Sequence, residues 1–149
     1  MISFSSLLEE SLLIERCTVF HWDRYEFSTG QIKDKFWVTL NCKVNDFPIK
    51  VVLPTSQYDN YHYSITEHLE DCVIIEKGES IYFNADKTIL DLKNIISEDE
   101  YKIRIAYEDD FLVKLGPLEP EICARIEKKI EESELLDPFI IDELLCRKA

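Results

Sequence analysis

The sequence predicts one mainly β domain of the α+β class, a strongly bent antiparallel sheet or partly open barrel. Six or more short runs are rich in β-branched and aromatic residues, turn residues separate them at close spacing, and helical patterns are confined to the two ends of the chain. A chain of 149 residues matches one ordinary domain. We therefore expect a single domain over residues 1–149.

The first helical pattern lies at the N-terminus. Residues 6–16 read SLLEESLLIER, with leucines in pairs and Glu9 three positions after Ser6, as in a capping box. This pattern predicts a short amphipathic helix within residues 1–16.

Strand patterns occupy most of the middle of the chain. β-branched and aromatic residues dominate six segments, which are 18–27, 35–44, 47–56, 72–95, 101–107 and 111–116. The segment 72–95 is long enough for two or three strands, because turn residues interrupt it twice. Pro48 should mark the start of its strand or a sheet edge, since proline cannot donate to a ladder, and Pro54 should close that run.

A polar loop and two helices complete the predicted order. Residues 57–71 have no clear period, which predicts an irregular loop of the kind that often carries function. Ile122, Ile126 and Ile130 recur every four residues and predict an amphipathic helix that covers one opening of the barrel. Residues 138–149 predict a last short helix.

Charge and hydropathy limit the possible functions. The net charge is −13, and acidic residues concentrate in the C-terminal third, a field that opposes binding to a phosphate backbone. Glu9 and Glu10 stand where a signal peptide would carry positive charge, and no apolar run approaches the ~20 residues that span a bilayer. The sequence therefore predicts a soluble, cytoplasmic protein with no membrane partner.

The cysteines predict neither a metal site nor a disulfide framework. Their number is odd, and they are widely spaced, without a Cys-x-x-Cys pair or a histidine at ligand spacing; they are Cys17, Cys42, Cys72, Cys123 and Cys146. We expect free thiols that mostly serve as small core residues, with no metal bound.

The predicted loop carries side chains suited to acid–base chemistry or to RNA. Histidine has an ordinary pKa near neutrality, so His62 and His68 could act as acid or base, although the aromatic neighbours of His62 favour structural packing for it. Tyr58, Tyr61 and Tyr63 could stack on unpaired bases. The same tyrosines could equally cover the mouth of the barrel.

Two further features are interpreted as structural. His21 lies among aromatic residues, which predicts packing rather than chemistry. The acidic runs 98–100 and 108–110 lack the spacing and the glycine of an EF-hand loop, which predicts solvated turns.

Four segments of the sequence, taken together and in their order along the chain, resemble a known pattern. They read GQIKDKFWVTL over residues 30–40, VVLPTSQ over 51–57, KTILDLKNI over 87–95 and KLGPL over 114–118. In this order and in these residues the chain resembles the MazF/PemK family of toxin endoribonucleases. The resemblance spans about residues 18–136, which makes residues 138–149 a helical extension.

The resemblance implies a small SH3-like barrel that works as a homodimer and is controlled by an antitoxin protein. It also implies sequence-specific, metal-independent cleavage of single-stranded RNA without a cofactor, with Lys35 and Thr55 as catalytic residues. The neighbouring residues implied to bind substrate are Lys33, Ser56, Gln57, Tyr58 and His62.

One departure from the family bears on this activity. Lys35-Phe36 stands where the family usually has arginine followed by proline. A guanidinium binds a phosphate through two parallel hydrogen bonds, whereas an ammonium is a point charge. A lysine that acts as a base needs its pKa lowered by burial or by another cation, such as Lys33 beside Lys35, and Asp34 between the two lysines argues against this role.

The alternative is a non-catalytic interaction module that keeps the barrel and binds a protein partner. The missing arginine and the low isoelectric point favour it. A basic groove that contains Lys35 and Thr55 would support the enzyme, and a groove lined by carboxylates would support the module.

Overall fold

A computed structural model describes residues 12–27, 29–56 and 71–147. In chain order the elements are β1 (Thr18–Glu26), β2 (Ile32–Thr39), β3 (Ile49–Val52), β4 (Cys72–Glu76), β5 (Lys87–Asp91), β6 (Ile96–Glu98), α1 (Glu100–Glu108), β7 (Leu112–Pro117), α2 (Pro120–Glu132) and α3 (Pro138–Leu144). The described chain is therefore mainly antiparallel β structure with three helices, as the α+β prediction requires.

The strands form two sheets. Five strands pair in the order β6-β3-β2-β1-β7, and β4 pairs with β5 in a second sheet; all of these pairings are antiparallel. A single bridge between Thr55 and Ile89 connects the chain beyond β3 to β5. Over the described ranges these pairings do not close into a barrel.

The core has two parts, one on each face of the five-stranded sheet. Successive residues of a strand point to opposite faces, so Val38 enters one part and Trp37 the other. The first part lies between this sheet, the β4–β5 hairpin and helices α2 and α3. The second part lies under α1, where Ile103 is fully buried.

The C-terminal helices confirm their predictions. Helix α2 buries Ile122, Ile126 and Ile130, and Pro120 occupies its first turn, where a missing N–H costs little. Helix α3 begins after Asp137, whose side chain accepts a hydrogen bond from the Phe139 N–H at 2.8 Å.

The prediction of a strand over residues 101–107 is wrong, because this segment forms α1. The Asp99 side chain caps the helix by accepting from the Lys102 N–H at 2.7 Å. Ile103 and Ala106 are buried on one helical face, while Ile105 is 36% exposed. Isoleucines two residues apart suggested strand alternation, but the buried positions follow the helical period.

The predicted N-terminal helix is wrong for residues 12–16, and residues 1–11 lie outside the described chain. Leu12 and Ile14 are buried while Leu13 is exposed, the alternation of an extended segment. The Asn45 side chain keeps this segment extended. Its Oδ1 accepts a hydrogen bond from the Ile14 N–H at 2.8 Å, and its Nδ2 donates one to the Leu12 carbonyl at 3.1 Å. These bonds occupy backbone groups that a helix would need.

The other predicted strands exist with shifted ends. β2 starts at Ile32, opposite Glu26, and ends at Thr39, so residues 40–44 are not strand. Asn41 shapes the turn that follows by donating to the Asp46 carbonyl at 2.8 Å. β3 starts directly after Pro48, as predicted.

The prediction that the cysteines are free thiols is wrong for four of them. Cys17 is bonded to Cys123, and Cys42 is bonded to Cys146, with Cα–Cα distances of 5.9 and 5.8 Å. These partners are 106 and 104 residues apart in the sequence, so spacing could not reveal them. The first disulfide ties α2 to the residue before β1, and the second ties the segment after α3 to the turn after β2. Cys72 is a buried thiol.

Candidate functional site

A cleft lies where the end of β1 meets β6 and the first turn of α1. Its walls are Tyr25, Glu26 and Phe27 on one side, the segment 96–99 on the other, and Lys102 from α1. Its volume is about 430 Å³, and we call it the β1–β6 cleft. The cleft combines aromatic rings, carboxylates and a cation, which is a mixture able to bind and react with a polar ligand.

An irregularity in β1 directs Tyr25 into this cleft. Trp22 is opposite Lys35 and Tyr25 is opposite Lys33, so β1 has one extra residue between these pairs. Within it, Arg24 has a φ of 59°, and its N–H donates to the Asp34 carboxylate at 3.1 Å. The bulge places Trp22 and Tyr25 on the same face although they are three residues apart.

The Tyr25 hydroxyl donates a hydrogen bond to Glu98 Oε1. Both residues are buried, at 3% and 5% exposure. Burial, and then the hydrogen bond and the negative charge of Glu98, raise the pKa of Tyr25 above its ordinary value. The phenol therefore remains a proton donor to the carboxylate throughout the neutral range.

Lys102 is the cation of the cleft. Its Nζ lies 3.4 Å from both Glu98 oxygens and 3.3 Å from the Glu26 carbonyl oxygen. It also lies 4.7 Å from the centre of the Tyr25 ring and 5.6 Å from that of Trp22, distances typical of cation–π contacts. The buried carboxylate thus has a donor on one side and a positive charge on another.

Lys35 lies beside the same aromatic group. Its Nζ is 5.7 Å from the centre of the Phe27 ring, and the Phe27 and Tyr25 rings meet edge to face at 5.1 Å. Lys35 is half-buried and lies on the same face of β2 as Trp37. Lys33, two residues earlier in β2 and opposite Tyr25, is exposed. The structure therefore brings Lys35 to the edge of the β1–β6 cleft.

Thr55 and Ser56 lie elsewhere. Thr55 exchanges two backbone hydrogen bonds with Ile89, at 3.0 and 2.8 Å, at the junction of the two sheets. Ser56 follows it and is exposed. The side-chain contact of Lys35 is with Phe27, so the described residues do not bring Lys35 and Thr55 into contact.

The remaining predicted site residues, Gln57, Tyr58 and His62, lie outside the described residues, as do Tyr61, Tyr63 and His68. Their predicted roles stay predictions. His21 packs edge to face on Phe36, with ring centres 5.3 Å apart, which confirms the structural interpretation.

The two acidic runs, residues 98–100 and 108–110, differ in structure. Residues 108–110 end α1 in an exposed turn, as predicted. Residues 98–100 are not a solvated turn, because Glu98 ends β6 in the core and Asp99 caps α1. The sequence patterns did not identify three residues of the cleft as site residues, namely Tyr25, Glu98 and Lys102. Two features of the sequence could have indicated them: Asp99 stands three residues before Lys102, as a helix cap does, and Glu98 stands four residues before that lysine, as in a helical ion pair.

A second polar cluster surrounds the turn after β5. The Asp91 carboxylate accepts from the Lys93 N–H at 3.0 Å and from Asn94 Nδ2 at 2.7 Å, with Lys93 Nζ at 3.1 Å. Burial, together with the charge of Asp91, raises the pKa of the nearby Cys72 thiol to about 11. These contacts fix the turn, and the raised pKa makes the thiol a poor nucleophile.

Comparison with known proteins gives one partial similarity. No family model matches the chain. A stretch of 86 residues, 58% of the chain, is 30% identical to an arylsulfatase of Clostridium perfringens (strain 13 / Type A). The chain spans 17% of the length of that protein. In the described part of the chain, no helix has the length and apolar character to cross a membrane.

Proposed function

We propose that the chain is a MazF/PemK-like endoribonuclease that binds single-stranded RNA at the β1–β6 cleft and cleaves it without a metal ion. The observation that carries this proposal is the contact of Lys35 with Phe27, which joins the cation implied by the family resemblance to the aromatic wall of a cleft. Aromatic rings interleaved with cations are the usual means of binding unpaired nucleotides, because bases stack while phosphates pair with lysine.

Local charge supports an RNA site despite the acidity of the whole chain. Lys102 lines the cleft, and Lys33 and Lys35 lie opposite Tyr25 and Trp22 in the neighbouring strand, so three lysines offset the three carboxylates of the lining, which are Glu26, Glu98 and Asp99. A phosphate backbone responds to the nearest charges, because the Debye length at physiological ionic strength is about 8 Å. RNA binding should therefore weaken steeply with added salt.

In the proposed chemistry, Lys35 stabilises the charge that develops on the phosphate at the cleft. The RNA strand extends to the junction of the two sheets, where Thr55 donates a hydrogen bond to a phosphate oxygen. Since an ammonium lacks the two parallel donors of arginine, we expect a slower nuclease than an arginine-containing relative. Lys33 is two residues before Lys35 in β2 and Ser56 follows Thr55 in the chain, and we expect both to contact the flanking phosphates. The sequence specificity, the homodimer and the antitoxin partner are parts of the same proposal.

The test is incubation of the purified chain with a long, unstructured RNA in the presence of EDTA. Wild type is compared with Lys35→Ala and Thr55→Ala, and with Lys87→Ala as a matched control. Lys87 forms an ion pair with Glu76 at 2.9 Å on the second sheet. Cleavage that persists in EDTA, is lost in the first two variants and is retained in the control would support the proposal. Intact RNA with wild type would favour the interaction module.

The interaction module remains the second candidate because of the carboxylates in the cleft. Glu26, Glu98 and Asp99 face the same space as Lys102. Together with a net charge of −13, they would favour a basic protein segment over a phosphate backbone. A basic peptide that protects the cleft from chemical modification, in a protein that does not bind RNA, would support the module.

We also propose that the protein is cytoplasmic, which has a consequence for the redox state of its cysteines. Disulfides persist in oxidising compartments and are rare in the cytosol. The pairs Cys17–Cys123 and Cys42–Cys146 would then be dithiols in the cell and would oxidise on exposure to air.

A further inference from the structure

We infer, on the basis of the proposed function, that Glu98 accepts the proton of the attacking ribose 2′-hydroxyl, with Tyr25 as its positioning residue and Lys102 as the cation that stabilises the developing charge. The family resemblance pointed only to Lys35, Thr55 and their neighbours. The geometry of the β1–β6 cleft adds a carboxylate that is buried, oriented and paired with a cation.

Glu98 is the carboxylate of the cleft that is suited to this role. The Asp99 side chain is committed to the Lys102 N–H at 2.7 Å as the helix cap. Glu26 is exposed, and its described contact with Lys102 is through its backbone carbonyl. Glu98 lines the cleft at 5% exposure, and its carboxylate is held from two sides. A base fixed in this way loses little orientational freedom when the substrate binds.

Tyr25 positions the carboxylate without taking part in proton transfer. Its hydroxyl donates to Glu98 Oε1, so Oε2 has no contact with the phenol, and Lys102 Nζ lies 3.4 Å from both oxygens. A carboxylate oxygen has more than one lone pair, so Oε2 can accept a second hydrogen bond from a substrate hydroxyl. The titratable groups that share the cleft with Glu98 are Tyr25 and Glu26 from β1, Asp99 at the cap of α1 and Lys102 from its first turn.

The proposed step is a balanced transesterification. Glu98 takes the proton from the 2′-hydroxyl as the 2′-oxygen forms a bond to phosphorus, and the bond from phosphorus to the 5′-oxygen breaks. The leaving 5′-oxygen takes a proton from water, and Glu98 later returns its proton to solvent. The products are a 2′,3′-cyclic phosphate and a 5′-hydroxyl. Lys102 and Lys35 stabilise the extra negative charge of the pentavalent intermediate.

The experiment compares Glu98→Gln with Glu76→Gln as a matched control. Both variants change a carboxylate to an amide of the same size, but Glu76 lies outside the cleft, on the second sheet, where it pairs with Lys87 at 2.9 Å. Cleavage is followed on RNA, and binding is followed by fluorescence anisotropy on the same sequence with 2′-deoxy substitution at the cleaved position, which cannot react. We expect Glu98→Gln to lower the cleavage rate by about 10²-fold or more while binding is retained, because general acid–base catalysis contributes about 10²–10⁴-fold. Glu76→Gln should cleave at the wild-type rate.

A second variant separates positioning from simple structural support. Tyr25→Phe should lower the cleavage rate and change the pH profile of cleavage while the oligonucleotide still binds. Wild-type cleavage with an equally active Glu98→Gln would overturn the assignment of Glu98 and leave the proposed nuclease intact. Wild-type protein that neither binds nor cleaves RNA would overturn both.

Discussion

The Tyr25 hydroxyl donates a hydrogen bond to the Glu98 carboxylate, although the two residues are 73 positions apart in the sequence. The bond joins the end of β1 to the end of β6, two strands that are separated by β2 and β3 in the sheet. It forms because the bulge at Arg24 places Tyr25 on the face that α1 covers. A buried charge needs such partners, since an unpaired carboxylate in the core is strongly unfavourable.

Removing the phenol hydroxyl should therefore destabilise the fold. We expect Tyr25→Phe to lower the free energy of unfolding by about 1–3 kcal/mol, the usual cost of leaving a buried polar group without a hydrogen-bond partner. Urea unfolding at neutral pH measures it. Tyr101→Phe is the matched control, because Tyr101 is 65% exposed and should change the free energy by less than about 0.5 kcal/mol. Equal effects in the two variants would contradict the buried hydrogen bond.

Two isoleucines of α1 test the helix directly. Ile103 is fully buried and Ile105 is 36% exposed. We expect Ile103→Ala to cost about 2–5 kcal/mol and Ile105→Ala less than about 1 kcal/mol. In the strand that the sequence pattern suggested, both isoleucines would lie on one face and the two costs would be similar. Paired thermal and urea unfolding of the two variants therefore distinguishes the helix from the strand.

The disulfides predict a specific thiol count. Denatured, non-reduced protein should show one reactive thiol, that of Cys72, and reduction should raise the count to five. Each disulfide closes a loop of about 100 residues, so reduction should lower the free energy of unfolding by roughly 2–4 kcal/mol per bond. Five thiols in the air-oxidised protein would show that the pairs do not form.

The same cysteines test the location of the protein. If the chain is cytoplasmic, acid quenching of whole cells followed by alkylation should label Cys17, Cys42, Cys123 and Cys146 together with Cys72. Protection of the four paired cysteines in quenched cells would instead indicate an oxidising compartment. Alkylation after reduction is the control for complete labelling.

The Cys72 thiol predicts a loss of stability at alkaline pH. Its pKa is raised from 9.0 to about 11 in the folded protein, so the folded state holds the proton more tightly than the unfolded chain does. This contribution to the unfolding free energy is roughly 3 kcal/mol; it is complete below pH 9 and is lost as the pH rises through about 11. Cys72→Ser should show a shallower decline of the unfolding free energy across this range. Parallel declines in the two proteins would refute the shift.

Much of the fold could be predicted from local patterns. β1, β7 and the helices α2 and α3 were predicted because their periodicity and turn residues are local features that survive packing. Residues 101–107 do not adopt the strand that their local pattern predicts. Ile103 and Ile105 fit a strand, yet Asp99 caps a helix there, and only the position of the core decides which of the two isoleucines is buried.

The sequence by itself determined a small, acidic, β-rich domain with helices near its C-terminal end, and the family resemblance of its segments implied a role for Lys35. Tertiary structure alone decided that Lys35 stands beside Phe27, that Tyr25 meets Glu98, and that four cysteines pair over more than a hundred residues. The physical reason is that composition and periodicity act over a few residues. A bulge at one position and a hydrogen bond across the sheet depend on contacts between segments that are distant in the chain.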